Sequence, residues 1–217
     1  TTQTIAADLS ATGKLTIGTS QTNSGTLATI AGGDTNIASG DCSTVAGGCL
    51  NTASQDETFI GAGRANEACA CQAVVGGGFS NVAGPGTRTT VGGGVNNDAT
   101  GTQASILGGK GNLASGAYAT IGGGINSIAS GCNSNVAGGT CNTATGPYST
   151  SSGGCNNEAK GLYSTITGGF SSCAAGDHSF VGGGSCNIAT GLSSFVGGGN
   201  ANVASGVASV VGGGCSN

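Results

Sequence analysis

Along this chain one β-branched side chain recurs at a fixed distance: Ile30, Val45, Ile60, Val75, Val91, Ile106, Ile121, Val136, Ile166, Val181, Val196 and Val211. Each step between slots is 15 residues except the 16 from Val75 to Val91, and Ser151 fills the one slot that is not apolar. Polar and small residues keep the same register around this anchor. Two residues before it stands Ser, Thr or Ala; three after it, glycine; six after it, Asn, replaced only by Ser127 and Ser172; eight after it, alanine. Ten after it stands glycine in most units. The unit reads S-x-V-x-G-G-x-x-N-x-A-S-G-x-x, and a period of this length marks a stacked repeat.

Within a unit the small and apolar positions alternate, as in Ser43, Val45 and Gly47, then Asn51 and Ala53. Period-two alternation places one face of a short strand inward, and the glycine pairs and the S-G step supply bends. Each coil is therefore expected to hold two short strands and two turns, with like residues stacked at about 4.8 Å per coil. The fold class is all-β: a parallel β-solenoid of about thirteen 15-residue coils spanning residues 15–217, with Gly84-Pro85-Gly86 a slightly longer turn. Val45, Val75, Ile121, Val136, Val181 and Val196 are read as the core. Ala53, Ala83, Ala144 and Ala189 face them across a seam that admits no larger side chain. Asn51, Asn81, Asn142 and Asn187 are read as a ladder of stacked amides, since such amides bond from layer to layer. All three columns are architectural. Residues 1–14 fall outside the register and are expected to form an N-terminal cap or a strand that joins subunits.

Composition sharpens the picture. The 217 residues include 47 glycines and only 2 prolines, with 6% charged residues. Collagen needs glycine at every third position with abundant proline, and disorder goes with high charge and few β-branched residues; neither fits. The net charge of −4 is dispersed, so no basic patch is present for nucleic acid. No apolar run is long enough to enter a membrane. Ten cysteines in so uncharged a chain point to an oxidising, extracellular compartment. Cys141 and Cys155 are the first candidate disulfide, and Cys173 and Cys186 a looser one.

Nothing in the motifs points to an enzyme, a metal or a cofactor. The Gly-Gly-Gly runs recur with the repeat and carry no G-K-[ST]. Asp177-His178-Ser179 holds triad letters, but adjacency in sequence is not triad geometry. Apolar residues also occupy outward positions: Phe59, Val74, Phe180, Phe195 and Val210 before anchors, and Ile37, Val82, Leu113, Ile128, Ile188 and Val203 after the Asn column. Exposed apolar ladders of this length imply contact with another chain, most simply in a three-fold bundle.

The run from Gly116 to Gly131, with Ile121, Gly123, Ser127 and Ala129 in register, resembles the head repeats of YadA-like trimeric autotransporter adhesins and the related repeats of phage and viral tail fibres. That resemblance covers about residues 15–217. It implies a left-handed parallel β-roll, a homotrimer, and attachment to a host surface protein or glycan from a cell or virion surface. The unit here is 15 residues against about 14 in the best-known heads, and ten cysteines are unusual for chains that cross an outer membrane unfolded. The second departure favours a viral, phage or free extracellular fibre. The alternatives are a filament subunit that stacks end to end and, more remotely, an ice-binding protein using Thr29, Thr44, Thr90, Thr120, Thr150 and Thr165.

Overall fold

The structure is a computed structural model that describes residues 15–217; the expected cap, 1–14, lies outside the described residues. The chain winds as a parallel β-solenoid with no helix among the described residues. Its strands are two residues long. The odd-numbered ones run from β1 (Leu15–Thr16) to β27 (Val210–Val211) and form one 14-stranded sheet. The even-numbered ones run from β2 (Thr22–Asn23) to β26 (Val203–Ala204) and form a 13-stranded sheet. Anchors lie on the first sheet and alanines on the second, in unbroken register: Ile30 on Val45, Val45 on Ile60, Ala38 on Ala53.

A third ladder was not foreseen. Four residues after each anchor a single residue bridges to its counterpart, from Thr19 over Asp34 and Cys49 to Asn200 over Cys215. The coil thus has three hydrogen-bonded faces rather than two. The residue types on this face range from Lys110 to Phe170, so no strand-like pattern announces it. What makes it is backbone: a glycine with positive φ precedes each bridge (Gly48, +92°) and a left-handed residue follows it (Leu50, +60°). One extended residue is held between two sharp bends.

The inserted residue near Pro85 is absorbed at the corner. Strands β9 (Val74–Val75) and β11 (Thr90–Val91) still pair, Val75 against Val91. The first described coil departs from the pattern in both columns. Thr16 stands beneath Ile30 where an anchor belongs, and Asn23 beneath Ala38 where alanine belongs.

The interior is a stack of single-residue layers. Val45, Val75, Ile121, Val136, Val181 and Val196 are wholly buried, as are Ala53, Ala83, Ala144 and Ala189. Backbone N–H groups reach neighbouring coils throughout, for example Thr44 N to Thr58 O at 2.9 Å and Thr52 N to Asn66 O at 2.9 Å. Adjacent coils sit so close that the invariant glycine column has no alternative. A Cβ on Gly109 would lie 2.2 Å from Gly124 O and 2.6 Å from the Asn112 amide nitrogen, on a backbone with φ of +94°. Its neighbour Gly108 faces open space. Gly109→Ala is therefore expected to destabilise by at least about 2 kcal/mol. Gly108→Ala should stay within about 0.5 kcal/mol. Urea unfolding of the two variants side by side checks this.

Candidate functional site: the columns of the rod

The buried Asn column makes the densest polar network. Asn51 Nδ2 donates to Asn36 Oδ1 at 3.1 Å, to Gly47 O in its own coil at 3.0 Å and to Gly63 O in the next at 3.0 Å. Asn51 Oδ1 in turn accepts Asn66 N at 3.0 Å and Asn66 Nδ2 at 3.1 Å. Asn81 and Asn187 occupy equivalent positions, and Gln21 Oε1 meets the first rung by accepting Asn36 N at 2.8 Å. Two serines interrupt the column. Ser127 N donates to Asn112 Oδ1, but its own hydroxyl finds no partner, so Asn142 begins a fresh run. Ser172 passes the ladder on by accepting Asn187 N at 3.3 Å. These amides tie three coils together at a level where no water can replace them. Their role is structural.

Every coil also turns through a hydrogen-bonded corner in which the residue three before the anchor has positive φ. Tyr118 (+59°), Tyr148 (+56°), Tyr163 (+56°) and His178 (+56°) all sit there. The turn closes by bonds such as Ser164 N to Gly161 O at 3.1 Å, and positive φ at its third residue is the type II geometry. Non-glycine residues accept the left-handed cost because their N–H groups bond the preceding coil, as Tyr163 N does to Pro147 O at 3.0 Å. The corner therefore throws its side chains outward one above another. Tyr148 stacks on Tyr163 at 4.8 Å, and Tyr163 on His178 at 5.2 Å. The triad letters at 177–179 consequently diverge. Asp177 accepts Leu162 N at 2.9 Å, His178 lies outward on Tyr163, and Ser179 is buried.

Other outward columns are chemically mixed. Phe180 stacks on Phe195 at 5.2 Å, and Arg64 lies 6.0 Å from the Phe79 ring centre. Phe170 is 53% exposed and Val203 46%. Polar side chains converge on one shallow surface depression. There Gln72 Nε2 donates to Glu57 Oε2 at 2.7 Å and Arg88 Nε donates to Gln72 Oε1 at 2.9 Å, beside Asp56, Cys71 and Thr87. The glutamine links Glu57 to Arg88, while Asp56 adds a second carboxylate to the same depression. Among the described residues no three His, Cys, Asp or Glu side chains are placed to hold a metal ion, and no helix is long and apolar enough to cross a membrane.

All ten cysteines are free thiols, which corrects the disulfide expectation. The register gives the reason. Cys155 lies over Thr140 in the bridge ladder, whereas Cys141 is one residue further on, at the left-handed corner. Cys173 is on the alanine-bearing sheet, in β22 (Cys173–Ala174), and Cys186 is at a left-handed corner outside it. Burial raises the Cys173 thiol above its ordinary range. Burial, then the Glu67 carboxylate, does the same to Cys69. Both changes disfavour the reactive thiolate.

No model of a known protein family matches this chain, and no curated protein matches it significantly.

Two predictions follow from these columns. Asn112→Ala strips the bonds that Asn112 Nδ2 makes to Gly108 O and Gly124 O and should cost roughly 2–4 kcal/mol. Asn112→Ser should cost less, and denaturant titration separates them. Asp98 is half-buried with one carboxylate oxygen unpartnered, and its pKa is raised by burial first and by Glu67 second. A raised acid favours the protonated fold, so stability falls as pH rises through the folded-state pKa. Asp98→Thr should therefore melt higher than the parent at pH 7. The gain should vanish below about pH 3, where the parent carboxyl is neutral in both states. Thermal melts at the two pH values test the sign.

Proposed function

We propose that this chain is a non-catalytic structural and adhesive rod that works as a homo-oligomer, most simply three parallel copies, displayed outside a cell or on a virion. The observation that carries the proposal is the split between the two sides of each column. Inward positions are buried in stacked columns, while outward positions hold apolar side chains in the open: Phe79, Ile125 and Phe170 on the bridge ladder, Ile128, Ile188 and Val203 on the even sheet. Surfaces of this kind are covered by other chains in working assemblies. The resemblance to YadA-like heads and tail-fibre repeats supports the same reading, with a host surface protein or glycan as the bound partner.

Light scattering on the purified chain should give a mass three times that of one chain. Ile128→Glu, which places a carboxylate between Leu113 and Thr143 on the even sheet, should weaken the association at least about tenfold, since burying an unpaired charge is costly. Circular dichroism of the dilute variant should stay that of the parent. A strictly monomeric parent overturns the proposal. Continuous threads in electron micrographs replace it with end-to-end filament growth.

A further inference from the structure

We propose that the level of Ser151 is a buried water-binding site. Ser151 is the only polar residue among the thirteen anchor slots from Ile30 to Val211. It is wholly buried and its hydroxyl has no hydrogen-bond partner. Ser149, two residues earlier on the same inward face, and Ser164 in the following coil are also buried with unpartnered hydroxyls. Ser149 and Ser164 stand one coil apart, about 4.8 Å. Ser151 stands two residues along the same face from Ser149, roughly 6.6 Å between Cα atoms. Both distances are too long for direct bonds but are spanned by one water between converging hydroxyls.

Space is present because the walls cannot close. Serine has one γ oxygen where valine has two γ methyls. Yet the backbone ladder passes through this level unchanged, with Val136 on Ser151 and Ser151 on Ile166. Ala137 N still bonds Ser151 O at 3.1 Å, and Ser152 N bonds Ile166 O at 2.9 Å. Only the anchor column is interrupted here, since Ala144 stacks directly on Ala159 on the facing sheet. A site with room and several convergent polar groups holds water, whereas an apolar void stays dry. Buried hydroxyls elsewhere in the same column, such as Ser43 and Ser194, face filled Val anchors and lack that room.

The test is a crystal structure at about 1.5 Å or better, of the parent and of Ser151→Val and Ser151→Ala. Expected is density for a water within hydrogen-bond distance of Ser151 Oγ and of at least one of the Ser149 and Ser164 hydroxyls. It should be lost in Ser151→Val, which fills the space, and in Ser151→Ala, which keeps the space but removes the hydroxyl. Magnetic relaxation dispersion in solution should lose the matching long-lived water in both variants. A dry parent, or the same water persisting in Ser151→Ala, overturns the assignment.

Discussion

The constraint on which this structure depends is the strand spacing imposed from one coil to the next. Once every coil hydrogen-bonds its neighbours, each side chain stands about 4.8 Å from its own counterpart above and below. A residue type that stacks well on itself is then rewarded along the whole rod, and one that stacks badly is penalised twice. Asn stacks by donating to the Asn before it and accepting from the Asn after it. Glycine three residues after the anchor is demanded by the carbonyl of the next coil as well as by its positive φ. The repeat is the consequence of this stacking.

A rod so thin has little apolar burial to spare, and its cohesion leans on polar groups that are fully used. The Asn amides hold backbone carbonyls at two levels, so their loss would strand acceptors where water cannot reach. The weak points are the places where the interior departs from its own rule. At Ser127 an amide rung is missing, and at Ser151 an anchor is missing; both fall in the middle of the chain. In a linear array each coil contacts only its neighbours, so a defect is felt locally and is not shared out over a common core.

What was legible in the sequence is what stacking makes repetitive. Val45, Asn51 and Ala53 could be placed inward, and the two sheets drawn, from periodicity alone, because an inward position tolerates few residue types. The third face was illegible for the same reason in reverse. Its residues point outward, vary freely, and owe their ladder to backbone bends on either side. The left-handed corners carrying Cys42, Glu57 and Tyr118 were also invisible, since the expected glycine or Asn is absent there and a bond to the preceding coil stands in for it. Cys141 and Cys155, one residue out of register, lie on a corner and on a bridge and are not joined.

This division between inward rule and outward freedom also bears on function. In a globular enzyme, specificity comes from convergent groups around an enclosed pocket. Here the interior is too narrow to enclose a substrate, and what a coil presents is repeated or varied along a line. A single substitution outside adds one rung, as Tyr163 does between Tyr148 and His178, without disturbing the layers within. Recognition by such a rod is set by which rungs sit next to each other along the axis. Residues 111–157 are the longest stretch of that line without Asp, Glu, Lys or Arg among the described residues, and 178–217, which carries Phe180, Phe195 and Val210 on one sheet, is the next. Like-charged copies of a chain with net charge −4 would meet least repulsion along such uncharged stretches, and the outward freedom that hides function from the repeat is what lets those stretches form without cost to the layers within.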